Sequence, residues 1–338
     1  MKKRLAGIAM AAALAAVLCG CHHANSGKEP VTQEFYAMDT VMQITAYGSN
    51  AQNAVNESVS YINDLEADIS RTKETSDIYA LNHAEGGTVK LSAQAADVLQ
   101  SALDLAQETD GCFDPTTAPL SDLWGIGTDH AAVPQQEDID AVLPLVDYTS
   151  VSLHDTEAAV PAGAEVDLGG IGKGYATDHV VDILKQYDVD QAIVSLGGNV
   201  YALGEKEDGT TWTVGITDPD NPSDYFATLS VSDTAVVTSG DYERYFESDG
   251  KRYCHIFDPQ TGYPAETDIR SVTVVSQDST RADAYSTALF VMGYEEAMHF
   301  CEENDIQAIF VCRDHTVHVT DGLKDSFVLN NTEYAYDG

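Results

Sequence analysis

The sequence has 338 residues, with 17 basic side chains against 55 acidic ones and a formal net charge of -38 at pH 7. A chain of this length can bury a substantial core, as one large domain or two closely packed ones. Its negative charge disfavours nucleic acid and anionic lipid surfaces as ligands and attracts divalent cations. An anionic substrate would therefore need a metal ion or a well-placed lysine.

The N-terminal segment has the pattern of an export signal. Three basic residues precede an apolar run over residues 6–18, which is too short for a comfortable membrane span. The run leads to Cys21 in a pattern that resembles the bacterial lipobox, which implies cleavage before Cys21 and a diacylglycerol group on its thiol. An ordinary secretory signal is the alternative. Both interpretations predict an exported protein, and the lipobox predicts attachment to the outer face of the cytoplasmic membrane.

This signal sets the expected domain organisation. We predict a signal peptide over residues 1–20, a lipidated Cys21 with a polar tether over 21–32, and one large domain over 33–332. The cysteines of that domain show neither a C-x-x-C nor a zinc-binding spacing. Export permits a disulfide between Cys301 and Cys312, but buried free thiols are the favoured state for all four, which are Cys112, Cys254, Cys301 and Cys312.

The predicted helices and strands do not alternate regularly. Residues 40–47 alternate apolar and polar side chains as a half-buried strand does, whereas residues 51–69 repeat apolar side chains at helical spacing. Ser92 has the character of an N-cap to a second helix. Further strands are predicted over 191–196, 200–203, 212–217, 227–231, 234–238, 269–275, 306–311 and 316–319, with helices near 279–292 and 294–303. This order favours an α+β fold in which mixed or antiparallel sheets pack against helices.

The loop after the second helix combines an aromatic residue, a carboxylate and two prolines. Phe113 and Asp114 lie in residues 111–120, and this composition is typical of a rigid loop that can carry a binding site. Asp-Pro dipeptides are often only turns, so the loop is ambiguous by itself. Residues 126–142 are polar and are predicted to be a surface excursion.

The most distinctive stretch is residues 166–175, which holds Asp167, Lys173 and four glycines before a predicted helix. Glycines let the backbone approach a ligand closely, and a helix N-terminus favours anions, so phosphate or pyrophosphate is the first ligand to consider. The stretch matches neither the P-loop nor the dinucleotide fingerprint. A tight strand-to-helix turn is the alternative interpretation.

The helix predicted over 279–292 carries Asp283 and Thr287 four residues apart, so both side chains project from one face. A carboxylate one turn before a hydroxyl can ligate Mg²⁺, which prefers oxygen ligands and leaves room for phosphate oxygens. Pairs of this kind are common on helices without any metal. The pattern alone therefore leaves both interpretations open.

Taken together, these stretches resemble the ApbE family, the flavin transferases that move FMN from FAD onto a protein threonine. The resemblance covers nearly the whole mature chain through residues 38–40, 113–115, 167–175, 195–199, 238–242, 255–264 and 282–287. It implies a single catalytic domain with a T-fold-like core. It also implies FAD as substrate and, as partner, a threonine-bearing acceptor domain of a flavin-dependent redox system in the membrane, and it implies no nucleic acid.

The resemblance also assigns roles to individual residues. It implies a Mg²⁺ ion on the pyrophosphate, held by Asp283, Thr287 and the backbone oxygen of Gly170. The residues at the positions where the family contacts FAD are Met38, Cys112, Phe113, Asp114, Asp167, Lys173, Ile256 and Ser286.

The implied reaction is attack of the threonine hydroxyl on the FMN phosphorus with AMP as the leaving group. Asp283 acts through the metal, and His255 is the candidate general base because histidine titrates near neutrality. A structural role for His255 in its loop is the alternative. Two other functions keep the same site: a Mg²⁺-dependent FAD pyrophosphatase that forms FMN and AMP, and a lipid-anchored FAD-binding protein without catalysis.

Overall fold

The computed structural model describes residues 29–336, so the predicted signal peptide and Cys21 lie outside the described residues. The strands are β1 Val31–Ala37, β2 Thr40–Ala46, β3 Val89–Lys90, β4 Ser152–His154, β5 Glu157–Ala159, β6 Ala192–Leu196, β7 Asn199–Leu203, β8 Trp212–Thr217, β9 Tyr225–Val231, β10 Thr234–Gly240, β11 Tyr245–Ser248, β12 Lys251–Cys254, β13 Ile269–Ser276, β14 Gln307–Cys312, β15 Thr316–Val319, β16 Phe327–Leu329 and β17 Ala335–Tyr336. The helices are α1 Ala51–Ile69, α2 Asp77–Asn82, α3 Ala93–Glu108, α4 Ala118–Trp124, α5 Gln136–Val142, α6 Gly172–Gln186, α7 Ser279–Met292 and α8 Tyr294–Asn304.

A nine-stranded sheet in the order β1-β2-β6-β7-β10-β13-β14-β15-β17 forms the centre of the described chain. Its neighbouring strands are antiparallel except for the β15–β17 pair, which is parallel. Three smaller sheets accompany it, in the orders β16-β9-β8, β3-β5-β4 and β11-β12. The α+β fold expected from the sequence is confirmed.

The two faces of the large sheet are covered differently. Val237 and Val274 face the main hydrophobic core, which the helices α1, α6 and α7 close from one side. Val236 and Val275 belong to a second core, which the sheet β16-β9-β8 covers from the other side. Adjacent residues fall in different cores because successive side chains of a strand point to opposite faces. The helical layer is the one that builds the polar site described below.

The elements with strong local signals appear where the sequence predicts them. Ser92 caps α3 by accepting a hydrogen bond from the backbone N–H of Ala95 at 3.1 Å. The β1–β2 hairpin turns through Met38 and Asp39, whose φ angles of 48° and 58° are typical of a two-residue turn that suits the strand twist. The four cysteines of the domain are free thiols, as favoured from their spacing.

Two regions differ from the sequence-based expectation. The sheet begins at Val31, so residues 31 and 32, expected in the tether, are already paired with β2. Residues 126–142 are not wholly a surface excursion, because α5 buries Ile139 completely beside Trp124. The sequence gives little warning, since a single apolar side chain in a polar stretch carries no periodic signal.

Candidate functional site

The site is built where α6 and α7 approach each other most closely, at Gly174. A Cβ atom on this residue would lie 2.3 Å from the backbone oxygen of Ser279 and 2.8 Å from the Cβ of Asp283. No larger residue fits without moving one of the helices. The absence of a side chain is therefore what lets the loop before α6 reach Asp283 on α7.

The two helices cap each other across this contact. Asp178 of α6 accepts hydrogen bonds from the backbone N–H groups of Ser279 and Thr280 at 2.9 and 2.8 Å, at the start of α7. Asp283 of α7 in turn accepts one from the N–H of Gly174, in the first turn of α6, at 2.9 Å. Each carboxylate satisfies N–H groups that have no partner within their own helix, so the junction is well fixed.

Asp283 is the carboxylate at the centre of the site, and only 4% of its surface is exposed. Burial raises its pKa, while the nearby Lys173 ammonium and the Gly174 N–H act in the opposite direction. The Lys173 Nζ atom lies 3.4 Å from Asp283 Oδ1 and also donates to the backbone oxygen of Gly169 at 3.1 Å. The lysine thus compensates the carboxylate and holds the glycine loop to it.

This arrangement corrects the expectation that the N-terminus of α6 presents free N–H groups to an anion. The Gly174 N–H is already bonded to Asp283, and that of Gly172 is bonded to the Leu168 oxygen at 2.8 Å. An anionic ligand at this junction would instead meet the Lys173 side chain and any cation held by Asp283. The sequence could not reveal this, because the capping carboxylate lies more than a hundred residues away.

Thr287 and Gly170, two of the residues expected to hold Mg²⁺, lie near each other here. Thr287 follows Asp283 by one turn of α7, and its Oγ1 atom lies 3.9 Å from the position of a Cβ on Gly170. The same Cβ would lie 3.1 Å from the Phe113 ring, so a larger residue would crowd the space between Phe113 and Thr287. Ser239 of β10 lies against this turn, with its Oγ atom 2.7 Å from that of Ser286 and 3.5 Å from Thr287 Oγ1.

This donor set fits a hard cation. It offers one buried carboxylate, hydroxyl groups and a backbone carbonyl, which are the oxygen ligands that Mg²⁺ prefers when phosphate oxygens and water complete its shell. Within residues 29–336, no cluster of three or more His, Cys, Asp or Glu side chains could hold a metal. A cation at this junction would therefore depend on Asp283 for its protein charge.

Asp167, the other charged residue of the stretch 166–175, contacts its own loop and Arg71. Its carboxylate accepts a hydrogen bond from the Gly169 N–H at 2.8 Å and lies 3.2 Å from the Nε atom of Arg71. Asn82 fixes the preceding residue by bonding both the N–H and the oxygen of Val166, at 2.8 and 2.9 Å. Arg71 and Asn82 are therefore positioning residues, which no local pattern in the sequence indicates.

Cys112, Phe113 and Asp114 form the rigid loop that the sequence predicts. Phe113 is 3% exposed and contacts the Gly170 region, while Cys112 is half-buried and burial raises the pKa of its thiol to about 11. The Asp114 carboxylate accepts hydrogen bonds from Thr116 and from the Tyr148 N–H at 2.7 and 3.1 Å. Its oxygens thus brace the loop, and its contact with FAD stays a prediction.

His255 and Ile256 follow β12. The Nδ1 atom of His255 is buried and has no hydrogen-bond partner among the described residues, while Ile256 is 5% exposed. Removal of the ring from water lowers the pKa of His255 to about 4, and the positive charges of Arg244 and Lys173 lower it further. The imidazole is therefore neutral at pH 7 and can accept a proton.

Trp124 connects this segment to the Phe113 loop. Its Nε1 atom donates to the backbone oxygen of Gly262 at 3.0 Å, and its ring packs against Phe246, Tyr253, Phe257 and Tyr263. The segment after His255 and the loop after Phe113 are consequently held together by one buried aromatic cluster.

Met38 lies in the β1–β2 turn, and that turn contacts the β6–β7 turn. A Cβ on Gly197 would lie 2.4 Å from a Thr40 side-chain carbon, which explains the glycine there. No hydrogen bond or ion pair joins Met38 or Asp167 to Asp283 in the described part of the chain. Among the predicted site residues, Lys173 and Ser286 contact Asp283 directly: the Lys173 Nζ atom lies 3.4 Å from Asp283 Oδ1, and the Ser286 hydroxyl donates to the Asp283 backbone oxygen at 2.9 Å. Thr287 lies one turn beyond Asp283 and beside Gly170, whereas Met38, Cys112, Asp114, Asp167 and Ile256 lie on neighbouring segments.

A surface hollow of about 350 Å³ lies elsewhere, between α1 and α6. Glu57, Asp64 and Asp182 are among its lining residues. Three carboxylates without a lysine or arginine would repel an anionic ligand, so we do not place the functional site there.

The fold and these contacts define a class of protein: an α+β protein with a compact polar site in which a buried carboxylate, a lysine and hydroxyl groups lie beside a glycine-rich loop. A comparison with protein families identifies the family directly, since the model of the ApbE family matches residues 38–310. The chain belongs to the ApbE family.

Individual relatives agree with this assignment. A FAD:protein FMN transferase of Treponema pallidum is 34% identical over 92% of this chain and 93% of its own, and one of Klebsiella pneumoniae is 40% identical over 72% and 77%. The crystal structure of the ApbE protein of Thermotoga maritima superimposes with a TM-score of 0.81 at 31% identity, covering 87% of this chain and 98% of that one. The apo form of the Pseudomonas stutzeri flavinyl transferase ApbE gives 0.77 at 29% identity, covering 91% and 96%. The chain is a transferase.

The close contact at Gly174 leads to a prediction about stability. We expect Gly174→Ala to lower the free energy of unfolding by about 1–3 kcal/mol, because the new methyl group overlaps backbone that cannot rotate away. Denaturant unfolding of the purified protein measures this. Gly172→Ala is the matched control in the same helix, since its Cβ would meet only the flexible end of Ile69 at 3.0 Å. Equal destabilisation by both variants would contradict the proposed role of the contact.

Proposed function

We propose that the protein transfers FMN from FAD to a threonine hydroxyl of an acceptor protein and releases AMP. The observation that carries this proposal is the junction of Asp283, Lys173 and the glycine loop, which provides cation-binding oxygens and an ammonium group in a chain of net charge -38. An anionic dinucleotide could bind such a chain only where positive charge is concentrated. The name of the relatives, FAD:protein FMN transferase, supports FAD as the FMN donor and a protein as the acceptor.

In the proposed step the threonine oxygen attacks the phosphorus of the FMN half. A new oxygen–phosphorus bond forms, the anhydride bond breaks, and its electron pair leaves with AMP. The hydroxyl proton passes to the neutral imidazole of His255. Lys173 neutralises charge near the phosphates, and the glycine loop allows backbone to lie close to them.

Asp283 and Thr287, with the backbone oxygen of Gly170, would hold the Mg²⁺ ion. When bound, Mg²⁺ offsets the negative charge that builds on the leaving phosphate oxygen. The acceptor in this proposal is a threonine-bearing domain of a membrane redox system, outside the cytoplasm.

Incubation of the mature protein with FAD, Mg²⁺ and an isolated acceptor domain tests this function. Mass spectrometry of the acceptor should show one covalent FMN on threonine, and AMP should form in equal amount. Free FMN with an unmodified acceptor would identify a pyrophosphatase instead. Unchanged FAD that is nevertheless bound would identify a binding protein. A threonine-to-valine acceptor is the control.

The proposed location is the outer face of the cytoplasmic membrane, through a lipid on Cys21. In the part of the chain that the structure describes, no helix is long and apolar enough to cross a membrane. We expect Cys21→Ser to move the exported protein from the membrane fraction to the soluble fraction, because the proposed diacylglycerol group is attached through that thiol. Fractionation and immunoblotting measure this, and continued membrane association of the processed variant would contradict the anchor.

A further inference from the structure

The arginines of the described chain are almost all paired with carboxylates. Such pairing is expected where acidic residues outnumber basic ones so strongly. The paired arginines are Arg71 with Asp122, Glu165 and Asp167, Arg252 with Asp241 and Glu247, Arg270 with Asp220 and Asp241, Arg281 with Glu108, and Arg313 with Asp241. Arg244 is the exception within residues 29–336, since its exposed side chain forms neither an ion pair nor a hydrogen bond.

Arg244 also occupies a distinctive place. It directly precedes β11, and His255 directly follows β12. The His255 N–H donates to the Arg244 oxygen at 3.0 Å, which extends the hairpin ladder one step beyond the Tyr245–Cys254 pair. Residues opposite each other in an antiparallel ladder place their side chains on the same face. The Arg244 guanidinium and the His255 imidazole therefore emerge side by side at the end of this hairpin.

Besides its place in the hairpin beside His255, Arg244 shares electrostatic neighbours with the site. Arg244 and Lys173 both lower the pKa of His255, and both counteract the rise that surrounding protein causes in the pKa of Glu243. Asp283 acts on Glu243 as well. The free arginine thus shares its electrostatic neighbourhood with the lysine and the carboxylate of the proposed phosphate site.

The absence of a partner is informative because carboxylates are available close by in the chain. Asp241, three residues before Arg244, is almost fully buried and bonds three other arginines, at 3.0 to 3.2 Å. That cluster is a satisfied structural network and leaves Arg244 out. An exposed arginine kept free beside a candidate general base is suited to an anion supplied by the substrate.

We propose that Arg244 binds the phosphoryl oxygens of FAD and stabilises them during FMN transfer, which rests on the function proposed above. A guanidinium group is always charged and can bond two phosphate oxygens in parallel, which an ammonium group cannot do. Charge on the phosphoryl oxygens must be stabilised as the anhydride bond breaks. Arg244 supplies that stabilisation from the side of His255, while Lys173 acts from the glycine loop.

Arg244→Gln and Arg244→Lys test the proposal, with Lys185→Gln as the control because Lys185 is exposed in the last turn of α6. The measurements are kcat, the KM for FAD, the KM for the acceptor, and equilibrium binding of FAD and of riboflavin. We expect Arg244→Gln to lower kcat about 10²–10³-fold, as removal of one preorganised donor typically does. FAD binding should weaken while riboflavin binding, which involves no phosphate, should not. Arg244→Lys should recover only part of the loss.

Three results would overturn the proposal. The first is that Arg244→Gln matches Lys185→Gln in kcat and FAD binding. The second is that it weakens the binding of FAD and of riboflavin equally, which would indicate altered packing. The third is a rise confined to the KM for the acceptor, with kcat and FAD binding unchanged, which would show that Arg244 contacts the acceptor protein instead of FAD. If the parent protein transferred no FMN, the proposed function would fail, and the comparison of FAD with riboflavin would still decide whether Arg244 binds phosphate.

Discussion

Asp283→Asn should lower the rate of FMN transfer by about 10²–10³-fold, the effect of several kcal/mol of lost charge stabilisation in the transition state. The neutral amide can still accept the hydrogen bond from the Gly174 N–H that the carboxylate accepts at 2.9 Å. It cannot compensate Lys173 or provide a charged ligand to a cation. Asparagine is therefore a sharper test than alanine, which would also remove the cap of α6.

The measurement is the transfer rate as a function of Mg²⁺ concentration, together with the unfolding midpoint. Asp178→Asn is the matched control, because Asp178 also lies between α6 and α7 and caps the other helix. We expect it to lower stability without changing the Mg²⁺ dependence. Thr287→Val should have a smaller effect than Asp283→Asn, since water can replace a neutral ligand. Unchanged activity of Asp283→Asn at limiting Mg²⁺ would show that the ligand assignment is wrong.

The sequence predicts those parts of the fold that rest on local patterns. The apolar spacing of α1, the N-cap at Ser92 and the alternation in β2 each depend on residues that are near neighbours in the chain. The short strands β11 and β12 were missed, because each has only four residues and a mixture of aromatic and charged side chains. Their hairpin matters most for the proposed chemistry, since it carries Arg244 and His255.

The candidate site is harder to predict from the sequence than the fold is, for a physical reason. An Asp and a Thr four residues apart are unremarkable on a helix, and only the resemblance to a family selected Asp283 and Thr287. The contacts that make Asp283 special, with Gly174 and Lys173, span more than a hundred residues. The sequence also cannot predict that Arg244 is unpaired, because this conclusion requires the ion-pair partners of the other arginines.

His255 is neutral over a wider pH range than an ordinary histidine. Since its pKa is lowered from 6.5 to about 4, a base role predicts that log kcat/KM rises with pH up to about 4 and is flat above it. An ordinary histidine would instead give an acidic limb near neutrality.

Folding stability should also depend on pH between 6.5 and 4. Below pH 6.5 the His255 side chain of the unfolded chain binds a proton, whereas that of the folded chain does not until about pH 4. The parent protein therefore loses stability as the pH falls from 6.5 towards 4. His255→Asn should remove that part of the loss.

His255→Asn should also lower the transfer rate by about 10²–10⁴-fold and abolish the acidic limb, because the amide cannot accept the threonine proton. The structural cost should be small, since the buried Nδ1 atom has no hydrogen-bond partner to lose. FAD affinity should therefore stay near that of the parent, whereas a disturbed loop would weaken FAD binding through the adjacent Ile256.

His299→Asn, at an exposed histidine of α8, is the matched control and should change neither the transfer rate nor the FAD affinity. Rates and FAD dissociation constants measured across pH, with folding verified by circular dichroism, separate the two roles. If His255→Asn transferred FMN at the parent rate with the same pH profile, another group would have to take the proton, and a site carboxylate such as Asp283 would be the next candidate.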